Sequence, residues 1–372
     1  MTYARARLYL GASAVGTTTV LAALALLADL PHRLLPTAPA PWGLELALLA
    51  LVIALHGALS APFDLFGGLL LPREYGRSDE SVRSFAARWW RGAALWGAGV
   101  LAGGVLLLTL SRALGGPGAA LAFALVTLTF LVMQPVLAAL LAGARLERPP
   151  GLIDALGPRT RLLVGVPRHA TGGAHGLPGL TGWVLTEPHV GRHLGAHVAR
   201  RRAIERSGLR DRGVLVAVAW NVVPLLALLA VAGPPVAVAD VVRLGLLSTL
   251  WSFAGLFVLP APSRRAVYTA DLAALAGGAD RAALASALQD HDRHGDDEAD
   301  RADAVERVFH PIPASARRLE VLAGRRPPPE GFAAYHAARL ALPLAGATFG
   351  LLGRSVHCAL GRPEVWVFLP SE

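Results

Sequence analysis

The chain has 372 residues, of which 54% are hydrophobic and 16% are charged. Soluble domains carry about 25% charged residues, so this composition indicates a membrane protein. The only cysteine, Cys358, excludes an intramolecular disulfide framework and a cysteine-based zinc site. The formal net charge of +9 comes from arginine, because the chain has no lysine. In so apolar a chain, arginine in short loops is typical of the cytoplasmic side of a membrane protein, and no nucleic-acid partner is expected.

Six apolar stretches are long enough to cross a hydrocarbon layer about 30 Å thick, which makes the lipid bilayer the first expected partner. In chain order they cover residues 8–30, 43–71, 92–110, 119–144, 213–232 and 241–259. The first is predicted to be a retained helix rather than a signal peptide, since no clear cleavage site follows it. Pro62 in the second predicts a kink.

Membrane and polar regions alternate along the chain. A membrane region of four helices is predicted over residues 1–144, with a polar loop at 72–91, and helices five and six are predicted over residues 213–260. The polar blocks at 145–212 and 261–340 are predicted to be two halves of one extramembrane domain, followed by a tail at 341–372. The apolar part of the tail, residues 341–353, is too short to span, which favours a packed or re-entrant segment over a seventh helix.

Arginine distribution predicts the orientation. If six helices alternate, the arginine-rich N-terminus, the 72–91 loop and both polar blocks fall on one side, whereas the opposite loops hold only Arg33 and Arg112. This pattern predicts an integral protein of a bacterial-type cytoplasmic membrane, with the N-terminus and the extramembrane domain in the cytoplasm. The run Arg200-Arg201-Arg202 before the fifth stretch is interpreted as part of this orientation signal.

Two motifs follow the last hydrophobic stretch. Residues 263–275 read SRRAVYTADLAAL, and residues 310–322 read HPIPASARRLEVL. Together they resemble the C-terminal half of membrane-embedded zinc metallopeptidases (gluzincins) of the CAAX prenyl protease and heat-shock membrane protease type. Residues 62–91, 176–190 and 191–202 match the same family, in the same order. The resemblance implies a mostly α fold in which about six transmembrane helices carry a cytoplasmic metallopeptidase-like domain. A small β element is expected at residues 162–166 and 182–186.

The family's zinc helix carries His-Glu-x-x-His, where the two histidines bind zinc and the glutamate activates a zinc-bound water. Residues 191–202 read GRHLGAHVARRR and allow two registers. In the first, His193 and His197 are the ligands and Leu194 occupies the position of the base. In the second, His197 is the first histidine, Val198 replaces the base and Arg201 replaces the second histidine.

Both registers lose the general base. The resemblance also places Val267 where the family has its third ligand, a glutamate, while Arg264, Asp271 and His310 keep the family residue types. An aliphatic side chain cannot accept a proton. The sequence therefore predicts a pseudo-peptidase with a binding or regulatory role and no cofactor.

Alternatives stay open. His193 and His197 could be ligands of a remodelled zinc site in an active membrane metalloendopeptidase, because His189, His193 and His197 recur every four residues. Further candidate donors follow the sixth stretch: His291, Asp292, His294, Asp296 and Asp297. A small-solute transporter is the third hypothesis. For the binding hypothesis, the expected ligand is a peptide or membrane-protein segment that adds to an edge strand near Val184.

Overall fold

The computed structural model describes residues 1–166, 172–186, 193–295, 300–357 and 361–366. The described residues are 73% helical and form one small sheet, which confirms the mostly α fold. The α-helices are α1 (Tyr3–Leu27), α2 (Leu30–Leu34), α3 (Trp42–Leu65), α4 (Leu71–Glu74), α5 (Val82–Leu114), α6 (Gly116–Ala142), α7 (Pro150–Leu156), α8 (Leu194–Arg206), α9 (Leu209–Ala232), α10 (Val238–Val258), α11 (Pro260–Ala276), α12 (Arg281–Gly295), α13 (Asp303–Phe309), α14 (Ser315–Leu322), α15 (Ala337–Leu344) and α16 (Leu352–Ser355). The strands are β1 (Arg145–Glu147), β2 (Arg161–Val164), β3 (Gly173–His175) and β4 (Gly182–Thr186).

Six helices in the described part of the chain are long and apolar enough to cross a membrane, as predicted. They are Tyr3–Leu27, Trp42–Glu74, Val82–Leu114, Gly116–Ala142, Leu209–Ala232 and Val238–Val258. The second passes from α3 through a π-helical turn, Phe66–Leu70, into α4. Such a turn often marks a functional or strained position in a helix. Here it follows Pro62, which lies inside α3.

The third span begins earlier than predicted. The side chain of Ser81 accepts a hydrogen bond from the Ser84 backbone N–H at 3.1 Å, which caps α5 ahead of Val82. The amphipathic segment after the cap then continues into the apolar run without a break. Part of the loop predicted at 72–91 is therefore helix.

The chain forms two compact units. The first comprises Met1–Phe130, Val218–Ala254 and Ala341–Trp366. Its core is apolar and includes Leu49, Leu107, Phe123, Val241 and Phe349. The tail enters this unit as short pieces, a 3₁₀ turn at Ala345–Thr348 and helix α16, rather than as a long helix.

A buried ion pair lies within this first unit. Arg354 Nη2 donates to Asp64 Oδ2 at 2.7 Å, and both side chains are fully buried. Trp89 Nε1 donates to the same carboxylate oxygen at 2.8 Å. The Arg354 guanidinium also lies 4.7 Å from the ring centre of Trp366. Charged groups inside a membrane region are tolerated when they pair in this way, so the contact holds the tail to the span that contains Asp64.

The second unit comprises Leu131–Ala217 and Gly255–Leu340, and it contains the sheet. The strand order is β1-β2-β4-β3, with β2 and β4 parallel and both outer pairs antiparallel. The expectation of an edge strand near Val184 is therefore wrong. Val184 pairs with Arg161 on one side and with Gly173 on the other, because β3 folds back onto β4.

Candidate active-site region

Helices α8 and α11, which carry the family-like motifs, pack against each other in the second unit. Leu194 and Val198 lie one turn apart on α8 and therefore share a face. Both pack against an apolar cluster that contains the fully buried Val267 of α11. The cluster also includes Trp183 and Tyr335. The two candidate base positions and the candidate third-ligand position are therefore parts of one hydrophobic core.

His193 lies at the start of α8 and pairs with a carboxylate. Its Nε2 is 2.7 Å from Asp290 Oδ2, and both side chains are partly exposed. The backbone N–H of His197 donates to the His193 carbonyl at 3.0 Å, which makes His197 part of the first helical turn. The helix itself begins at Leu194, since the backbone of His193 is not helical.

Asp271 is the centre of a buried ion network. Arg200 Nε donates to Oδ1 at 2.6 Å, and Arg318 donates from Nε to Oδ2 at 2.7 Å and from Nη2 to Oδ1 at 2.9 Å. Paired donors of one guanidinium on one carboxylate give a strong, well-oriented contact. Burial alone would raise the pKa of Asp271, but the charges and hydrogen bonds of Arg318 and Arg200 lower it below its usual value. Asp271 is therefore an ionised structural partner with both oxygens engaged.

Arg264 and His310 meet at the end of α13. Arg264 Nη1 donates to the backbone carbonyls of Glu306, Arg307 and His310 at 3.1, 3.0 and 2.9 Å. Cationic side chains stabilise the last carbonyls of a helix in this way. Burial lowers the pKa of Arg264 from its ordinary value, and the charge of Glu306 partly offsets this effect. The contact ties α11 to the HPIPASARRLEVL motif.

At the expected zinc site, the third-ligand position and the base position carry aliphatic side chains. Val267 occupies the third-ligand position, Leu194 or Val198 occupies the base position depending on the register, and Asp271 is engaged by two arginines. Across the described residues, no group of three histidine, cysteine, aspartate or glutamate side chains is close enough to hold a metal ion. The remaining candidate donors lie outside the described side chains: His189, His291, Asp292, His294, Asp296 and Asp297.

Sequence reasoning missed the arginine partners of Asp271. The run Arg200-Arg201-Arg202 is typical of an orientation signal, but the Arg200 side chain is buried and pairs with Asp271 of α11. Arg318 lies within the second motif, HPIPASARRLEVL. Its pairing with a carboxylate 47 residues away could not be derived from spacing.

No protein-family model matches the chain, and no curated protein matches its sequence. Among solved structures, Ste24p of S. mikatae superposes with a TM-score of 0.60. The match has 16% sequence identity and covers 76% of this chain and 76% of that chain. Likeness at this identity shows the fold, and the chain therefore has the fold of Ste24p.

Proposed function

We propose that this chain is a pseudo-peptidase of the CAAX-protease type, a membrane protein that binds a peptide or membrane-protein segment without hydrolysing it. Ste24p is a zinc metalloprotease of that type, so the shared fold supports the family assignment. The observation that carries the proposal is the fully buried Val267, which packs in an apolar cluster with Leu194 and Val198.

This cluster has aliphatic side chains where peptide hydrolysis needs a general base. A general base contributes on the order of 10²–10⁴-fold to the rate of proton-transfer steps. Aliphatic side chains at both candidate base positions cannot supply that contribution, whichever register applies. Asp271 is a poor substitute, because its two arginine partners stabilise the carboxylate and weaken it as a base.

Binding of an extended segment would use the sheet of the second unit. Strand addition requires an unpaired edge, and β4 has neighbours on both sides. An added strand must therefore pair with β1 or β3. Strand β1 is the more exposed of the two, since Arg145 and Glu147 are open to solvent while the three residues of β3 are buried. The second unit and the N-terminus are proposed to face the cytoplasm, following the arginine distribution.

A cleavage assay tests the proposal. The full chain, purified in detergent, would be incubated with fluorescence-quenched peptides, both unmodified and C-terminally prenylated, with added zinc or with the chelator 1,10-phenanthroline. We expect no chelator-sensitive cleavage, together with saturable binding of a peptide to the intact protein. Chelator-sensitive cleavage at a rate proportional to protein concentration would refute the pseudo-peptidase assignment.

One observation favours a second candidate function, an active zinc peptidase with a remodelled site. His193 and Asp290 already lie 2.7 Å apart, and both residue types bind zinc. Asp290 is followed by His291, Asp292 and His294 in the sequence. This candidate requires zinc bound through His193, which distinguishes it from the pseudo-peptidase.

A further inference from the structure

Arg210 is a buried cation at the start of a candidate membrane span. It lies in the first turn of α9, and its side chain is 2% exposed. Within the described part of the chain, neither of its terminal nitrogens, Nη1 and Nη2, has a hydrogen-bond partner. Buried charges in folded proteins are normally paired, so this guanidinium is unusual.

His336 lies beside this first turn. The Tyr335 backbone N–H donates to the Leu209 carbonyl at 2.9 Å, which places residues 335–336 against residues 209–210. The backbones of α9 and of Tyr335 approach each other closely, since a Cβ atom on Gly213 would lie only 1.9 Å from the Tyr335 carbonyl oxygen. His336 has a left-handed backbone, with φ of 58°, and its ring stacks on that of Tyr335 at 3.9 Å. Its Nε2 is buried and has no partner among the described residues.

The surroundings of His336 are strongly positive. Burial lowers the pKa of its imidazole well below the ordinary value, and the charges of Arg339, Arg210 and Arg200 lower it further. Asp271 does not balance Arg210, since its oxygens bind Arg200 and Arg318. Asp211, the next residue along α9, favours the Arg210 cation through its charge but does not hydrogen-bond to either terminal nitrogen.

We propose that Arg210 and His336 form a binding site for a phosphate group. The two free terminal nitrogens of Arg210 match the paired oxygens of a phosphate, which arginine binds in a two-point contact. His336 Nε2 adds a third buried polar atom, and the charge of Arg210 acts on this imidazole. Helix α9 is a candidate membrane span that begins at Leu209, so the site lies where this helix would enter the bilayer. Basic pockets at the membrane surface bind phospholipid head groups. The phosphate comes either from a phospholipid or from free inorganic phosphate.

The test measures phosphorus in the full chain and uses matched arginine variants. Protein washed extensively in detergent would be denatured and extracted, with phosphorus measured separately in the organic phase (phospholipid) and the aqueous phase (inorganic phosphate). Arg210→Gln removes the guanidinium that is proposed to bind phosphate. Arg206→Gln removes the same charge from an exposed position four residues earlier. Arg210→Lys and His336→Gln serve if Arg210→Gln does not fold. In parallel, thermal unfolding would be followed with sodium phosphate against sodium chloride at equal ionic strength.

If the phosphate is retained through purification, we expect about one phosphorus atom per chain above the level in Arg210→Gln, in one of the two phases. If it is lost during washing, we expect added phosphate to raise the Tm of the parent saturably. Arg206→Gln should behave like the parent. Arg210→Lys and His336→Gln should each lower the retained phosphorus. Equal phosphorus and equal phosphate response in the parent and Arg210→Gln would overturn the proposal, whatever the outcome of the cleavage assay. If only Arg210→Lys and His336→Gln fold, parent-like values in both would overturn it equally.

Discussion

Neutralising Asp271 should destabilise the second unit more than any exposed charge change. Asp271→Asn keeps the shape of the side chain but leaves Arg200 and Arg318 buried without their counter-charge. Removing one partner of a buried pair typically costs about 3–5 kcal/mol. For a unit of this size, about 1 kcal/mol shifts Tm by roughly 2–4 °C, so the expected loss is roughly 6–20 °C. Arg318→Met should cost less, because Asp271 then keeps Arg200 as its partner.

The assay is thermal unfolding in detergent, followed by tryptophan fluorescence and by protease resistance. Glu320→Gln is the matched control, since Glu320 pairs with Arg326 at 3.7 Å and both side chains are nearly half exposed. An exposed pair contributes at most about 1 kcal/mol. If Asp271→Asn lowers Tm no more than Glu320→Gln does, the structural role assigned to the Asp271 network is wrong.

Three further predictions concern the same unit. Val267→Glu restores the family residue type. It should destabilise the fold by about 3 kcal/mol or more rather than create activity, because the carboxylate would enter an apolar core. A stable, zinc-binding Val267→Glu protein would contradict this expectation. Burial lowers the pKa of His175 to about 4 in the folded protein, whereas the same histidine in the unfolded chain has a pKa of about 6.5. As pH falls, the unfolded chain therefore binds more protons than the folded protein does. Stability should therefore drop by roughly 3 kcal/mol between pH 7 and 4, and denaturant unfolding of His175→Asn should show a shallower pH dependence. Arg264→Met should lower the free energy of unfolding by about 1–3 kcal/mol, because the contacts with the α13 carbonyls are lost. The control Arg281→Met, at an exposed position, should change the free energy of unfolding by no more than about 0.5 kcal/mol. Equal effects of the two variants in the same denaturant titration would count against the capping role.

The membrane helices could be predicted from local sequence, because the thickness of the bilayer sets the length of the apolar run that a span needs. A run of about 20 apolar residues spans hydrocarbon whatever the rest of the chain does. The sheet was harder, since strand order depends on contacts between segments far apart in the chain. Residues 182–186 were correctly predicted to be a strand. Their central position follows from pairing with both Arg161–Val164 and Gly173–His175, and no local pattern shows this.

The candidate site was only partly accessible from sequence. Motif spacing identified Val267 and Asp271 as positions to compare with the family. The ion network itself joins residues 71 and 47 positions apart, so the sequence could not show that Arg200 and Arg318 meet on one carboxylate. Arg210 lacked any signal, because an arginine at the start of a membrane helix also fits an orientation role.

The zinc content of the detergent-purified protein, measured beside a His193→Ala/His197→Ala double variant, tests the pseudo-peptidase assignment most directly. We expect less than stoichiometric zinc in the parent and no difference in the variant, because Val267 stands at the third-ligand position and packs in an apolar core. About one zinc ion per chain in the parent, lost in the double variant, would contradict the assignment and favour a remodelled metallopeptidase site around His193.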